Sequence, residues 1–331
     1  MTSILIISVL VSFLLAIITI PKWIKVCRKV GLLWEDMNKF NHPKNVASSG
    51  GLVVVASFVG GVLVFVALRT FLGIDDGINV QIFALLSIIL ILALVGLTDD
   101  LLGWKHGGLS KKSRIFLAFL ATIPLVVINA GTHFMNLPFL GSVDFGLFFP
   151  LLIIPLGVAG SAITYNFLAG FNGLEAGQGI LILSFLSYVS YVTGSPWLAI
   201  IGLCMVATLL VFLFFNKSPA KVFPGDALTY SVGALIAIMA ILGNFEKVAL
   251  IVMIPYIIEF ILKTRGGLGK HSFGTPEKDG SLSLPYKKIY GLTHFSIWFL
   301  SKIKKKVYER DVTYFIHIIQ ILFILLAFLM L

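Results

Sequence analysis

Uncharged apolar runs of about 20 residues, the length that crosses a bilayer, recur along this whole chain. Ten stand out, near 2–21, 50–72, 80–98, 114–131, 147–165, 178–193, 196–215, 226–242, 246–263 and 312–331. A small soluble core can be very apolar, but it does not repeat such runs from end to end. The 331 residues are 58% hydrophobic and only 12% charged, whereas a soluble domain is about 25% charged. These runs predict an all-α, polytopic membrane protein of about ten transmembrane helices, forming one integral membrane unit over 1–331. The first run has no basic segment before it and no small-residue cleavage pattern after it. It passes straight into Pro21-Lys22-Trp23, so it reads as the first transmembrane helix and not as a removed signal.

Lysine and arginine then orient the bundle. With the N-terminus outside, the inside loops near 22–49, 99–113, 166–177, 216–225 and 264–311 hold 23 of the 25 basic residues, and only Arg69 and Lys247 fall outside. Both termini are therefore expected outside. The net charge of +10 belongs to this inner face, where it meets anionic headgroups and anionic substrates, so nucleic acid is not an expected partner. The outer loops are bland, with Asp75, Asp76 and Asp144 as their acids. Basic residues interleave with Ile289, Leu292, Phe295, Trp298, Phe299 and Ile303 between Pro285 and Val307, the pattern of an amphipathic helix lying on the inner leaflet. Cys27 and Cys204 sit in a basic loop and in mid-run, which fits neither a disulfide nor a zinc site.

Four polar constellations fall in the inside loops. Asp99 and Asp100 end the third run; adjacent carboxylates repel, so they read either as a magnesium-linked or base-acting pair or as two solvated helix-end acids. Lys111, Lys112 and Arg114 follow, as phosphate ligands or as ordinary inner-face anchors. The stretch from Asn166 to Gln178 carries two asparagines, Glu175 and several glycines. It is either a plain turn or a loop whose glycines admit a ligand and whose amide oxygens suit Mg²⁺. Phe223-Pro224-Gly225-Asp226 opens the eighth run, where Asp226 is either a helix cap or a metal ligand beside a phosphate-favouring helix N-terminus. The last large loop adds Arg265, Lys270 and His271, with His42 and His106 as weaker histidines. Acids and amides for a metal, cations for a pyrophosphate and helices for a lipid tail converge on phosphoryl transfer between a nucleotide conjugate and a membrane lipid.

Taken together, Ser49-Gly50-Gly51, Asp99-Asp100, the Asn166–Gln178 loop and Gly225-Asp226 resemble the polyprenyl-phosphate N-acetylhexosamine-1-phosphate transferase family from Asp36 through the last loop. Asn172-Gly173-Leu174-Glu175-Ala176-Gly177-Gln178 is similar to the archaeal and eukaryotic dolichyl-phosphate branch; bacterial relatives usually carry an Asp-Gly-Leu-Asp type loop. The lack of eukaryotic-looking insertions points to an archaeal member. The resemblance implies transfer of N-acetylglucosamine-1-phosphate from UDP-N-acetylglucosamine to dolichyl or another polyprenyl phosphate. It implies Mg²⁺, with Mn²⁺ as the alternative, held by Asn166 and Asp226. It makes Asn172 the uracil reader with Phe223 near the base, and places Glu175 in the same substrate loop. Asp99 and Asp100 would orient or deprotonate the lipid phosphate, and Lys112 or Arg114 would contact phosphate. Dimers are common in the family, so a homodimer is an expectation. One departure is plain: the sugar-binding loop is Arg-rich in the eukaryotic enzyme and His-rich in bacteria, and here it offers only Arg265, Lys270 and His271 before Gly274-Thr275-Pro276. The rival from another class is a secondary transporter, which would need ionisable groups at the midplane, where Glu259 is the one clear acid.

Overall fold

The computed structural model describes residues 2–74, 77–137 and 141–331, with the side chains of 2–5, 104–106 and 136–137 outside that description. Asp75, Asp76 and the His106 side chain therefore lie outside the described residues. The chain is a bundle of helices: α1 (Thr2–Val30), α2 (Gly51–Phe71), α3 (Ile78–His106), α4 (Lys111–Leu120), α5 (Ile123–Val127), α6 (Ile154–Phe167, entered through a π-helical turn at Phe149–Ile153), α7 (Leu174–Val192), α8 (Pro196–Asn216), α9 (Gly225–Gly243), α10 (Glu246–Val252), α11 (Ile254–Arg265), α12 (Leu292–Ile303) and α13 (Glu309–Leu329). Three small antiparallel hairpins interrupt it: β1 (Leu33–Glu35) with β2 (Lys44–Ala47), β3 (Phe134–Leu137) with β4 (Gly141–Asp144), and β5 (Thr275–Pro276) with β6 (Leu282–Ser283).

Among the described residues, seven helices are long and apolar enough to cross a membrane: those at 6–30, 51–71, 78–103, 149–167, 196–216, 225–243 and 309–329. The other three apolar runs differ in an instructive way. The run near 114–131 is split into α4 and α5, and that near 246–263 into α10 and α11. In both, a proline stands at the start of the second piece, Pro124 and Pro255, where it lacks the N–H a continuous helix needs. The run near 178–193 is one helix, α7, which begins earlier, at Leu174, with the polar stretch Glu175 to Gln178. Two loops expected from sequence, those near 22–49 and 99–113, begin later in the structure. Helix α1 runs through Pro21 to Val30 and α3 to His106. The amphipathic helix is present as α12, within Pro285–Val307.

Helix α9 is the axis. It packs against α3 and α6, and 83% of its apolar window is buried, against 22% for α1 at the periphery. Close approach to α3 requires Gly96, because a Cβ there would run into the Asp226 backbone. At the same end, Gly50 N–H donates to Phe223 O (2.9 Å) and Gly51 N–H to Pro224 O (2.7 Å). The Ser49-Gly50-Gly51 motif is thus a backbone seat for the 223–226 turn. The C-terminal ends of α3, α6, α8 and α11 and the N-terminal ends of α2, α4, α7, α9 and α13 meet at this one end of the bundle.

Candidate active site

Gly225 fixes the heart of this end. Its φ is +68°, and a Cβ there would overlap the Asp100 carboxylate, so the turn needs glycine for both conformation and space. The turn delivers the Asp226 N–H to Asp100 Oδ1 at 2.9 Å. A carboxylate from another helix therefore meets the first turn of α9, and the Asp226 side chain lines the acidic cavity. Asp100 Oδ2 is buried with no hydrogen-bond partner among the described residues, although Ser49 and the Ala227 N–H stand close by. Asp99 is better served: Leu109 N–H reaches its Oδ1 at 2.5 Å and Arg114 its Oδ2 at 3.0 Å. Arg114 also lies 3.7 Å from Asp226 Oδ2, so this cation bridges two of the three acids. Asn166 is within reach of Asp226. Its amide nitrogen donates to Thr229 Oγ1 at 2.9 Å.

These groups separate two cavities of about 470 Å³ each. The first is acidic, lined by Glu35, Asp36, Asp99, Asp100, Glu175 and Asp226, with Asn172, Phe223 and Phe273 in its wall. The second is basic, lined by Lys111, Lys263, Lys270, His271 and Asn166. Arg114, Ala169, Gly170 and Phe273 belong to both. Burial, with Lys263 and Lys270 nearby, lowers the His271 pKa below its usual value, so this ring stays neutral among cations. The buried His294 behind it is pushed down to about 4 by burial and by Lys263 and His271.

Most of the residues singled out from sequence are brought together here. Asp99, Asp100, Asn172, Glu175, Phe223, Asp226 and Arg114 line the acidic cavity, and Asn166, Lys270, His271 and Arg114 the basic one. Glu175 is buried and spends Oε1 on Gly170 N–H (2.7 Å), shaping the loop. Lys112 and Arg265 are exposed and line neither cavity; Lys111 faces the basic one and donates to Leu268 O at 2.9 Å. Reasoning from sequence missed Asp36, Asn38, Glu309 and Lys263. Asn38 ties three loops together, donating to Gly170 O (2.7 Å) and accepting from Gly274 N–H (3.2 Å). Lys263 is buried between Ser272 Oγ (2.6 Å) and Glu259 (3.8 Å), so the one acid that could have served a transporter is paired with a cation at a helix end.

Over residues 82–244 the sequence matches the model of glycosyl transferase family 4. A Sulfolobus acidocaldarius protein, described as a candidate UDP-N-acetylglucosamine–dolichyl-phosphate N-acetylglucosaminephosphotransferase, is 34% identical over 98% of this chain and 95% of its own length. The chain belongs to glycosyl transferase family 4. Among its relatives, the Dictyostelium discoideum protein named UDP-N-acetylglucosamine–dolichyl-phosphate N-acetylglucosaminephosphotransferase is 27% identical over 73% of the chain and 67% of its own length. A phospho-N-acetylmuramoyl-pentapeptide-transferase from a Wolbachia strain is 30% identical over 75% of the chain and 77% of its own length. The segment matched to family 4 contains the three acids, Arg114, Asn166 and Asn172. Asp36 lies outside it, as do Lys263, Lys270 and His271 of the basic cavity.

The donor set also bears on a metal. Among the described residues, no group of three or more acidic, histidine or cysteine side chains has metal-ligand spacing. A closed protein cage is thus not what this site offers. Asp100 Oδ2, without a hydrogen-bond partner among the described residues, and the Asp226 carboxylate that lines the acidic cavity are hard oxygen donors with the Asn166 amide beside them, which fits Mg²⁺, a cation that takes few protein ligands and completes its shell with phosphates and water.

Proposed function

We propose that this chain transfers N-acetylglucosamine-1-phosphate from UDP-N-acetylglucosamine to dolichyl phosphate, releasing UMP, as the first step of lipid-linked oligosaccharide assembly for N-glycosylation. The single observation that carries this reading is the pairing of an acidic and a basic cavity across one wall, with Arg114, Asn166 and Asp226 at the junction. The names of the archaeal and Dictyostelium relatives supply the substrates. A lipid phosphate oxygen attacks the sugar-bearing phosphorus of the donor, a new P–O bond forms, and the bridging oxygen leaves with UMP. Because the lipid phosphate is already anionic, Asp99 or Asp100 need only orient it.

Asn166 and Asp226 would hold Mg²⁺, which supplies charge neutralisation on the transferring and leaving oxygens. Arg114, Lys111, Lys263 and Lys270 offset the remaining pyrophosphate charge, Asn172 reads the base and Phe223 packs against it. Ten crossings, with both termini outside, follow if α7 and the split pairs α4/α5 and α10/α11 also traverse; the basic inner loops then set this end on the cytoplasmic face of the cell membrane. The Wolbachia relative favours a second reading, the same chemistry on undecaprenyl phosphate with another UDP-sugar.

Purified protein in detergent, given Mg²⁺, a panel of UDP-sugars and either polyprenyl phosphate, tests this by mass spectrometry of the lipid product. The expected product is N-acetylglucosaminyl-diphosphodolichol. Substrate flux through proteoliposomes with no lipid product would sink the transferase reading.

A further inference from the structure

Two segments far apart in sequence converge on Asn172. Its backbone N–H donates to Glu309 Oε1 at 2.9 Å. Its side-chain nitrogen donates to Asp36 Oδ2 at 3.1 Å and to Glu309 Oε2 at 3.3 Å. A carboxylate can only accept, so two carboxylates around one amide leave no ambiguity over which end is nitrogen. Both carboxylates are themselves held. Lys39 and Ser218 contact Glu309, and Asn38 N–H donates to Asp36 Oδ1 at 3.3 Å. With Nδ2 consumed, Oδ1 accepts no hydrogen bond from the described residues, and the side chain lines the acidic cavity.

We infer that Glu309 and Asp36 are positioning residues for base selection: they lock Asn172 so that it presents only an acceptor to the nucleotide. The inference rests on the reading of Asn172 as the base contact. At N3 uracil offers a donor and cytosine an acceptor, so an acceptor locked opposite N3 favours uracil; cytosine's own donor, its 4-amino group, lies where uracil has O4. A free asparagine could turn over and serve either base. Burial makes the distinction strong, since a site that confronts acceptor with acceptor leaves desolvated groups unpaired.

Replacing Glu309 with glutamine keeps the shape and an acceptor for the Asn172 N–H, but sets a second NH₂ against Nδ2 and releases the lock. Asp36→Asn acts on the other side. The test measures competition by UMP and by CMP against UDP-N-acetylglucosamine turnover, with Mg²⁺ present, in the wild type, Glu309→Gln, Asp36→Asn and the double variant. The wild type is expected to prefer UMP. The UMP-to-CMP preference should fall by about tenfold in each single variant and further in the double. An unchanged preference, or proportional weakening of both nucleotides up to complete loss, overturns the inference, because a merely structural role would move both alike. A wild type that turns over the donor but ranks UMP and CMP equally overturns it as well. A wild type with no turnover and no UMP binding instead refutes the transferase reading beneath it.

Discussion

The two cavities have the same volume, about 470 Å³, and opposite chemistry. On the acidic side six carboxylates face a space in which, among the described residues, Arg114 is the one lining cation. Carboxylates packed this densely repel one another, and the arrangement is tolerable where a cation enters. On the basic side Lys111, Lys263, Lys270 and Arg114 line the wall with no carboxylate, which suits an anion. A donor pyrophosphate with a divalent metal can lie across the divide only if the wall is thin. It is: among the described residues, only Gly170, Ala169 and the Phe273 ring separate the two spaces besides Arg114. Under the proposed function the acidic half would hold the metal and the basic half the phosphates.

The comparison can be broken from either half. Asp226→Asn removes an acidic-side oxygen donor, and UMP release should fall by about 10³-fold in a turnover assay; full retention would strip the acidic cavity of its metal role. Gly225→Ala keeps every charge but cannot hold φ +68° beside Asp100 without strain of about 1–3 kcal/mol. It should cost about 10²-fold in kcat through displacement, together with a lower melting temperature. Lys270→Gln removes one basic-side cation, which also stands 4.9 Å from the Tyr286 ring. The KM for UDP-N-acetylglucosamine should rise by about tenfold with little change in the Mg²⁺ requirement; a shift in the metal requirement instead would erase the division of labour.

The smallest effect concerns His294, which is buried behind the basic half. Its folded-state pKa of about 4 lies below the ordinary 6.5, so the unfolded chain takes up its proton first as pH falls. Stability is therefore lost progressively from about pH 6.5 down to about 4, and is recovered as pH rises. Melting in detergent across that window should show the slope, and His294→Gln should flatten it.

Much of this was legible in the sequence, for physical reasons. Asp99, Asp100, Asn172 and Asp226 announce themselves because polar groups at the ends of apolar runs are costly and few. Asp36 and Glu309 do not. Asp36 sits in an ordinary polar loop, and Glu309 follows a basic run and opens a helix, where an acid is common for capping and dipole reasons alone. Their roles arise from a meeting of residues 36, 172 and 309 that no local pattern encodes. Lys263 was hidden differently: it counted as one more inner-face cation, and only the fold shows it buried against Ser272 and Glu259. Membrane architecture followed from hydropathy, but the splitting of two runs at Pro124 and Pro255 depended on neighbours able to house a broken helix.

The most direct test of two complementary half-sites joined in one reaction is the stoichiometry of UMP release in detergent with UDP-N-acetylglucosamine and dolichyl phosphate, before and after chelation of Mg²⁺. The expected result is one UMP for each lipid diphosphate sugar formed, none without the lipid acceptor, and loss of both products on chelation with recovery when Mg²⁺ is restored. UMP release that continues at full rate without lipid acceptor, or after chelation, would contradict it.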